Sequence, residues 1–263
     1  MDSVDYNFRY AKTDHPATIN DQSRILSNIR LFLSQTRQRI QHGILLILND
    51  LPKNGNWLDL GCGNGTLALE WDRQRHQGGC YLGLDFSSDL LNCARKSVTT
   101  IRMSPNLQID FVQTDLTDAK WQTKLPEIKW DGVMAFAVLH HIPGNSLRTQ
   151  LIKQIYDILG ESGKFIFSVW QFQNSPKLME RRIGWEQVGL SNSDVELGDT
   201  LLDWRADAKD NKSVIGLRYV HLFTKEELTM LAHVTGFQPV DEFDSDGFNG
   251  KLGHYEIWQK NRK

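Results

Sequence analysis

Three glycines, Gly61, Gly63 and Gly65, follow an apolar run in the stretch WLDLGCGNG (Trp57 to Gly65), and a carboxylate, Asp59, stands two positions before the first of them. Glycine at every second place lets the chain turn with positive φ and lets a ligand rest on bare backbone, facing the unpaired N–H groups of a following helix. Two more acids, Asp85 and Asp115, each close a later apolar run. Three carboxylates at the ends of three successive candidate strands suit a small organic ligand that presents hydroxyl and amine donors. A second set, Arg37, Arg205, Arg218, His140, His141 and His221, offers cations and hydrogen-bond donors that suit an anionic group.

These residues need a scaffold, and the hydrophobic pattern supplies one. Short apolar runs at Trp57 to Leu60, Cys80 to Asp85, Leu107 to Thr114, Gly132 to Leu139 and Phe165 to Trp170 read as strands, and Thr66 to Arg75, Ser87 to Thr99 and Ser146 to Leu159 read as helices between them. Such alternation implies an α/β fold with a parallel sheet, right-handed crossovers and ligands at the carboxyl ends of the strands. Ser23 to Leu51 carries apolar residues at helical spacing, so residues 1–53 are expected to form a helical extension ahead of a catalytic domain at 54–263. Thr224 and Glu227 form a capping box opening a helix up to Gly236, followed by strand-like runs at Phe237 to Phe243 and His254 to Gln259. Those two runs predict an antiparallel hairpin that closes the sheet. Between about 171 and 222 the alternation stops, and this stretch is expected to be an insertion lying over the strand ends.

Composition bounds the rest. A chain of 263 residues with 40% hydrophobic and 24% charged residues has the material for one sizeable core. No aliphatic run approaches the roughly 20 residues that span a bilayer, and the first residues lack a basic flank followed by an apolar stretch. Cys62, Cys80 and Cys93 show no paired spacing and their number is odd, so a reducing, cytoplasmic setting without a metal site is expected. A formal net charge of −2 leaves no broad attraction to nucleic acid.

The glycine spacing separates cofactor classes. A dinucleotide fingerprint requires glycine at position 66, and that residue is Thr66, which disfavours an NAD- or FAD-dependent oxidoreductase. GxGxG with Asp59 ahead of it instead resembles the first motif of class I S-adenosylmethionine-dependent methyltransferases. That resemblance implies a Rossmann-like sheet, mostly parallel, and S-adenosyl-L-methionine as cofactor. It places the methionyl part of the cofactor on the glycine backbone with Asp59 toward its ammonium end, Asp85 on the ribose hydroxyls, Asp115 on the adenine amino group and Leu116 beside the ring. Phe86 and Ala137, next to the second and fourth strand ends, complete the expected cofactor set with Arg37.

The acceptor is narrowed by what is missing. No Asn/Asp-Pro-Pro-Tyr sequence follows the fourth strand, which disfavours an exocyclic base amine, and none of the three cysteines is placed for attack on a pyrimidine carbon. Oxygen remains, and a carboxylate, with a reference pKa of about 4, is ionised at neutral pH without a catalytic base. Cations that orient such a group are the arginines and histidines named above.

Flanking segments are similar to the tRNA wobble-uridine carboxymethyl methyltransferases over about residues 31–260: LSQTRQRI (Leu33 to Ile40), AVLHHI (Ala137 to Ile142), SVWQ (Ser168 to Gln171), and GDTLLDW with RYVHLF. That family implies methyl transfer to the carboxylate of 5-carboxymethyluridine in tRNA. It implies that Arg37 helps close the cofactor pocket and that Arg205, Arg218, Tyr219 and His221 hold the substrate, while His140 joins them as a substrate-orienting candidate from its place after the fourth strand. The family's Trp-Pro after Thr-Arg is replaced here by Gln38-Arg39-Ile40-Gln41. A small zinc-binding activator protein is an implied partner along the edge at Leu107 to Val112. Arg37, Arg39, Arg181, Arg182, Lys260, Arg262 and Lys263 are candidate tRNA contacts, and Trp170, Trp185, Trp204 and Tyr219 candidate stacking partners for an extruded base. Two alternatives share the scaffold: a methyltransferase for a small acid or other metabolite, and a catalytically silent subunit that only binds a partner.

Overall fold

The computed structural model describes residues 39–74, 78–100, 106–205 and 215–261. The expected helices between Ser23 and Leu51 are therefore seen only as α1 (His42–Asp50); the earlier part of that stretch, with Arg37, and the terminal Arg262 and Lys263 lie outside the described residues.

From α1 the chain alternates as the apolar runs predict: β1 (Asn56–Leu60), α2 (Thr66–Gln74), β2 (Gly79–Asp85), α3 (Ser88–Thr99), β3 (Leu107–Gln113), β4 (Trp130–Phe136), α4 (Asn145–Ile158) and β5 (Leu159–Trp170). Among the described residues the sheet order is β3-β2-β1-β4-β5-β10-β9, where β9 is Phe237–Ser245 and β10 is Gly253–Lys260. Strands β1 to β5 pair in parallel and β10 runs antiparallel to both β5 and β9, which is the expected closing hairpin. The order reverses between β1 and β4, so a crevice opens there at the carboxyl ends of the strands.

Each face of the sheet has its own core. Ile44, Ile47 and Leu48 of α1, Leu67, Ala68 and Trp71 of α2 and Leu91 and Ala94 of α3 cover one face. Leu151, Ile152 and Ile155 of α4 and Leu228, Leu231 and Ala232 of α6 (Lys225–Thr235) cover the other. Local signals set the helix ends. The Ser87 side chain accepts from the Leu90 amide at the start of α3, the Thr224 side chain accepts from the Glu227 amide at the start of α6, and Gly236 closes α6 in the left-handed region at φ 89°. The second half of the predicted capping box is redirected: the Glu227 carboxylate turns to His221 and Arg148.

One strand boundary is corrected. The fourth strand ends at Phe136 rather than Leu139, because Ala137 takes a positive φ of 58° and Leu139 to His141 form a single 3-10 turn. The insertion is a sheet in its own right. After the short α5 (Pro176–Met179), strands β6 (Arg182–Ile183), β7 (Asp199–Arg205) and β8 (Ile215–His221) pair antiparallel in that order. Trp185 and Tyr219, two of the candidate stacking partners, are instead buried with Leu201 and Leu217 in the core of this small sheet. No helix among the described residues is long and apolar enough to cross a membrane.

Candidate functional site

The glycine bend leaves β1 at the crevice. Gly61, Gly63 and Gly65 have φ of 69°, 57° and 77°, values that favour glycine at all three positions. Their reasons differ. A Cβ on Gly61 would lie 2.6 Å from Val138 Cγ2 and one on Gly65 would lie 2.7 Å from Ala94 Cβ, so these two are required by packing. Among the described residues a Cβ on Gly63 would meet nothing within 4 Å, so on that side this residue faces open space. The bend is fixed from below: the Cys62 amide donates to the Leu84 carbonyl at 2.9 Å and the Gly65 amide to the Cys62 carbonyl at 3.1 Å.

The three acids share this edge. Strand register sets Asp59 opposite Gly83 and Asp85 opposite Gln113, and the Thr114 amide donates to the Asp85 carbonyl at 2.9 Å, which brings the ends of β2 and β3 together. Asp85 braces the cradle, its Oδ2 accepting the Gly63 amide at 3.0 Å and its Oδ1 the Ser87 amide at 2.8 Å. Asp115 Oδ1 accepts the Thr117 amide at 3.0 Å and the Thr117 hydroxyl at 2.6 Å, so it also organises its own turn. Leu116 packs on the core beside it, and the Phe86 carbonyl accepts from Gln113 Nε2 at 2.9 Å. Ala137, at the crevice end of β4, is held in its left-handed conformation by Ser168, whose carbonyl and hydroxyl both accept its amide at 3.1 Å. A non-glycine residue kept in this region points to a functional position.

Asp59 is buried, and Tyr81 donates its hydroxyl to Oδ2. Burial pushes its carboxyl up to about 7, the Tyr81 bond opposes this, and the charge of Asp85 adds to it. The folded chain thus holds this proton more tightly than the unfolded chain does. Without cofactor, stability is expected to fall as pH rises from the ordinary carboxylate range to about 7.

These features fit S-adenosylmethionine. Gly63 leaves room against bare backbone, Asp59 is a buried acid that a cation would ionise, and among the described residues the buried Thr114 hydroxyl beside Asp85 has no hydrogen-bond partner. A cationic ligand at Asp59 displaces its proton. Cofactor affinity is therefore expected to strengthen as pH rises from 6 to 8 and to level off above, and calorimetry on Asp59→Asn should show this pH dependence lost.

A second group of candidate residues lies at the ends of β4 and β5. The Trp170 amide donates to His140 Nδ1 at 3.2 Å, which puts the proton of a neutral imidazole on Nε2, and the His140 ring stacks on Trp170 with centroids 4.9 Å apart. The Arg218 guanidinium sits 5.6 Å from the Trp170 ring centroid, and His141 Nδ1 donates to the Tyr219 carbonyl at 3.0 Å, joining β8 to this turn. Strand β8 divides the remaining candidates. Its alternation sends Tyr219 and His221 to the face opposite Arg218, where the Tyr219 hydroxyl donates to Asp199 at 2.6 Å and His221 bonds Asp199 at 2.7 Å and Glu227 at 2.9 Å. Burial depresses His221, but the bonds to Asp199 and Glu227 outweigh it and leave its pKa above the usual value. The structure thus joins His140 with Arg218 and places Tyr219 and His221 in a separate buried network. The side chains of Arg205 and Trp204 lie outside the described residues.

Sequence reasoning missed Arg148, Asp199, Glu196 and Glu227, which complete that network. Arg148 sits on the buried stripe of α4 with Leu151, Ile152 and Ile155, and a cation within an apolar stripe was the available signal. Lys260, a candidate tRNA contact, instead bonds the carbonyls of Tyr156 and Leu159 at the opposite end of the sheet. Two clusters have metal-ligand chemistry, Glu196/Asp199/His221 and Glu242/His254/Glu256. In both, carboxylates already engage both ring nitrogens of the histidine, as in an ion-pair network.

Comparison with known proteins agrees with this geometry. The family profile of a methyltransferase domain matches residues 32–242. A tRNA (carboxymethyluridine(34)-5-O)-methyltransferase of Schizosaccharomyces pombe is 22% identical over 221 residues, 81% of this chain and 86% of the relative. A carboxy-S-adenosyl-L-methionine synthase of Wolinella succinogenes is 32% identical over 123 residues, 46% of this chain and 47% of the relative. A crystal structure of an S-adenosylmethionine-dependent methyltransferase from Methanosarcina mazei superposes with a TM-score of 0.61 at 20% identity, covering 83% of this chain and 98% of that one. With a methyltransferase-domain profile matching residues 32–242 and the glycine bend and acids at the carboxyl ends of adjacent strands, the chain belongs to the methyltransferase-domain family, and its cofactor is S-adenosylmethionine.

Proposed function

We propose that the chain methylates the carboxylate oxygen of a 5-carboxymethyl-type wobble uridine in tRNA. The observation that carries this reading is the Arg218 guanidinium held beside Trp170, next to His140, at the strand ends neighbouring the cofactor crevice. The Schizosaccharomyces pombe relative, which bears the name of that activity, supports it, as do the shared flanking segments.

When bound, the cofactor supplies a methyl group already activated on a sulfonium. The chain's residues then have to bind, orient and exclude water. Arg218 presents a planar fork of donors that matches a carboxylate bidentately, and the indole of Trp170 holds that fork in place. The ionised acceptor needs no base, so His140 serves through its fixed orientation, its Nδ1 accepting from the Trp170 amide and its Nε2 presenting a proton. Asp85 holds the Gly63 backbone against which the cofactor lies. A zinc-binding activator belongs to the same proposal: β3 is an edge strand of the sheet, where a partner's strand can add.

A small-acid acceptor would use the same residues, and tRNA from a strain lacking this protein separates the two. Nucleoside mass spectrometry is expected to show a methyl ester lost and its free acid accumulated. An unchanged nucleoside profile overturns the tRNA reading.

A further inference from the structure

One buried cation joins the insertion to the catalytic sheet. Arg148, 1% exposed on α4, donates from Nη1 to the Ile142 carbonyl at 3.1 Å, directly after the His140–His141 turn. Its Nη2 reaches the insertion at Glu196 (2.5 Å) and α6 at Glu227 (3.4 Å), and the guanidinium lies 5.3 Å from the Phe223 ring. Glu196 also accepts the Asn145 amide at 2.8 Å, pinning the insertion to the start of α4. Glu227 passes the connection to β8 through His221, and His221 passes it to β7 through Asp199, whose Oδ2 in turn accepts the Glu196 amide at 2.9 Å. The loop of contacts closes on itself. It has one member on the turn that carries His140 and one three residues along β8 from Arg218.

We propose that Arg148 is a positioning residue: by clamping Glu196 and Glu227 it fixes the insertion sheet over the strand ends and so sets Arg218 beside Trp170 for the acceptor. Stability alone does not call for such a network. A buried ion pair replaced by well-packed apolar groups is often as stable or more so, because desolvation offsets the Coulombic gain. Here the guanidinium ties four separate elements at fixed angles: the His140–His141 turn, the insertion loop, α6 and, through His221, β8. Arg218 is carried by β8, three residues before His221, so its position follows that of its strand.

This inference rests on the reading of Arg218 as an acceptor-binding residue, and its test separates the two. Arg148→Met is expected to raise the acceptor KM about tenfold, the equivalent of about 1.4 kcal/mol, with kcat and cofactor affinity within twofold of wild type. Arg148→Lys, which keeps charge but loses the fork, should recover part of the effect. Glu196→Gln, at a partly exposed position, is the milder variant should Arg148→Met fail to fold, with a KM rise in the same direction. Hydrogen exchange is read on the same proteins. Faster exchange in β7 and β8, with β1 and β4 unchanged, supports the clamp whatever the acceptor is. A folded variant with wild-type acceptor KM and wild-type exchange in β7 and β8 overturns it. If wild-type protein leaves tRNA unmethylated, the acceptor assignment fails and the exchange result still decides the clamp.

Discussion

Gly63→Ala is expected to leave the chain folded and to weaken S-adenosylmethionine binding on the order of 100-fold, the equivalent of about 2.8 kcal/mol. The new methyl group meets no atom of the described residues within 4 Å, so the folded-state cost they set is the left-handed backbone at φ 57°, about 1 to 2 kcal/mol for a non-glycine residue. A loss of that size lowers the melting temperature by a few degrees in a domain of this length. The same open volume is where the cofactor must contact bare backbone, so the methyl group displaces it. Gly65→Ala provides the contrast. Its Cβ would lie 2.7 Å from Ala94 Cβ and 3.3 Å from Phe111 Cζ, so the packing of α3 and β3 must give way and stability, more than binding, should suffer. Calorimetry and thermal melts on both variants check this. Wild-type affinity in folded Gly63→Ala would remove the cradle from the site.

Arg218→Ala carries the second large effect, a fall in kcat/KM for the acceptor of about 100-fold or more with cofactor affinity unchanged. Two charge-assisted bonds to a carboxylate, each worth about 1.5 to 3 kcal/mol, are lost together with the stacking on Trp170. Arg218→Lys is expected to recover only part, because an ammonium neither forks to both oxygens nor lies flat on an indole. Trp170→Leu should act in the same direction and more weakly, since it removes the ring beneath the guanidinium without removing the guanidinium. Steady-state kinetics with saturating cofactor give the readout, and an unchanged kcat/KM in Arg218→Ala assigns acceptor binding elsewhere.

The glycine bend and the acids at the strand ends were legible in the sequence because their requirements are local and chemical. Only glycine takes three positive φ values in five residues without strain, and an acid at the end of an apolar run is visible wherever the run is. Which glycine is left uncovered by packing was not legible, since that depends on Val138 and Ala94 arriving from distant segments. The insertion sheet was hidden for a different reason. Leu201 and Leu202 are adjacent on β7 and both buried, one against Trp185 and Tyr219 and the other against Phe172 and Val220, so the strand has two apolar faces and no period-two pattern. With both faces filled, the stretch reads as irregular. Arg148 was missed because a charged residue on a helix is by default assigned to solvent; its burial depends on carboxylates 48 and 79 residues away along the chain. The early end of β4 rests on Ala137, whose left-handed backbone is imposed by Ser168 of the next strand and leaves no trace in its own residue type.

The central claim is that the anchored Arg218 and the cofactor cradle together deliver a methyl group to a carboxylate oxygen. Incubating the protein with methyl-labelled S-adenosylmethionine and tRNA that carries a free carboxymethyl group on the wobble uridine tests it most directly. Label is expected in that nucleoside as an ester, released as methanol by mild alkali and absent with Arg218→Ala. Label that survives alkali places the methyl group on nitrogen or carbon and contradicts the account.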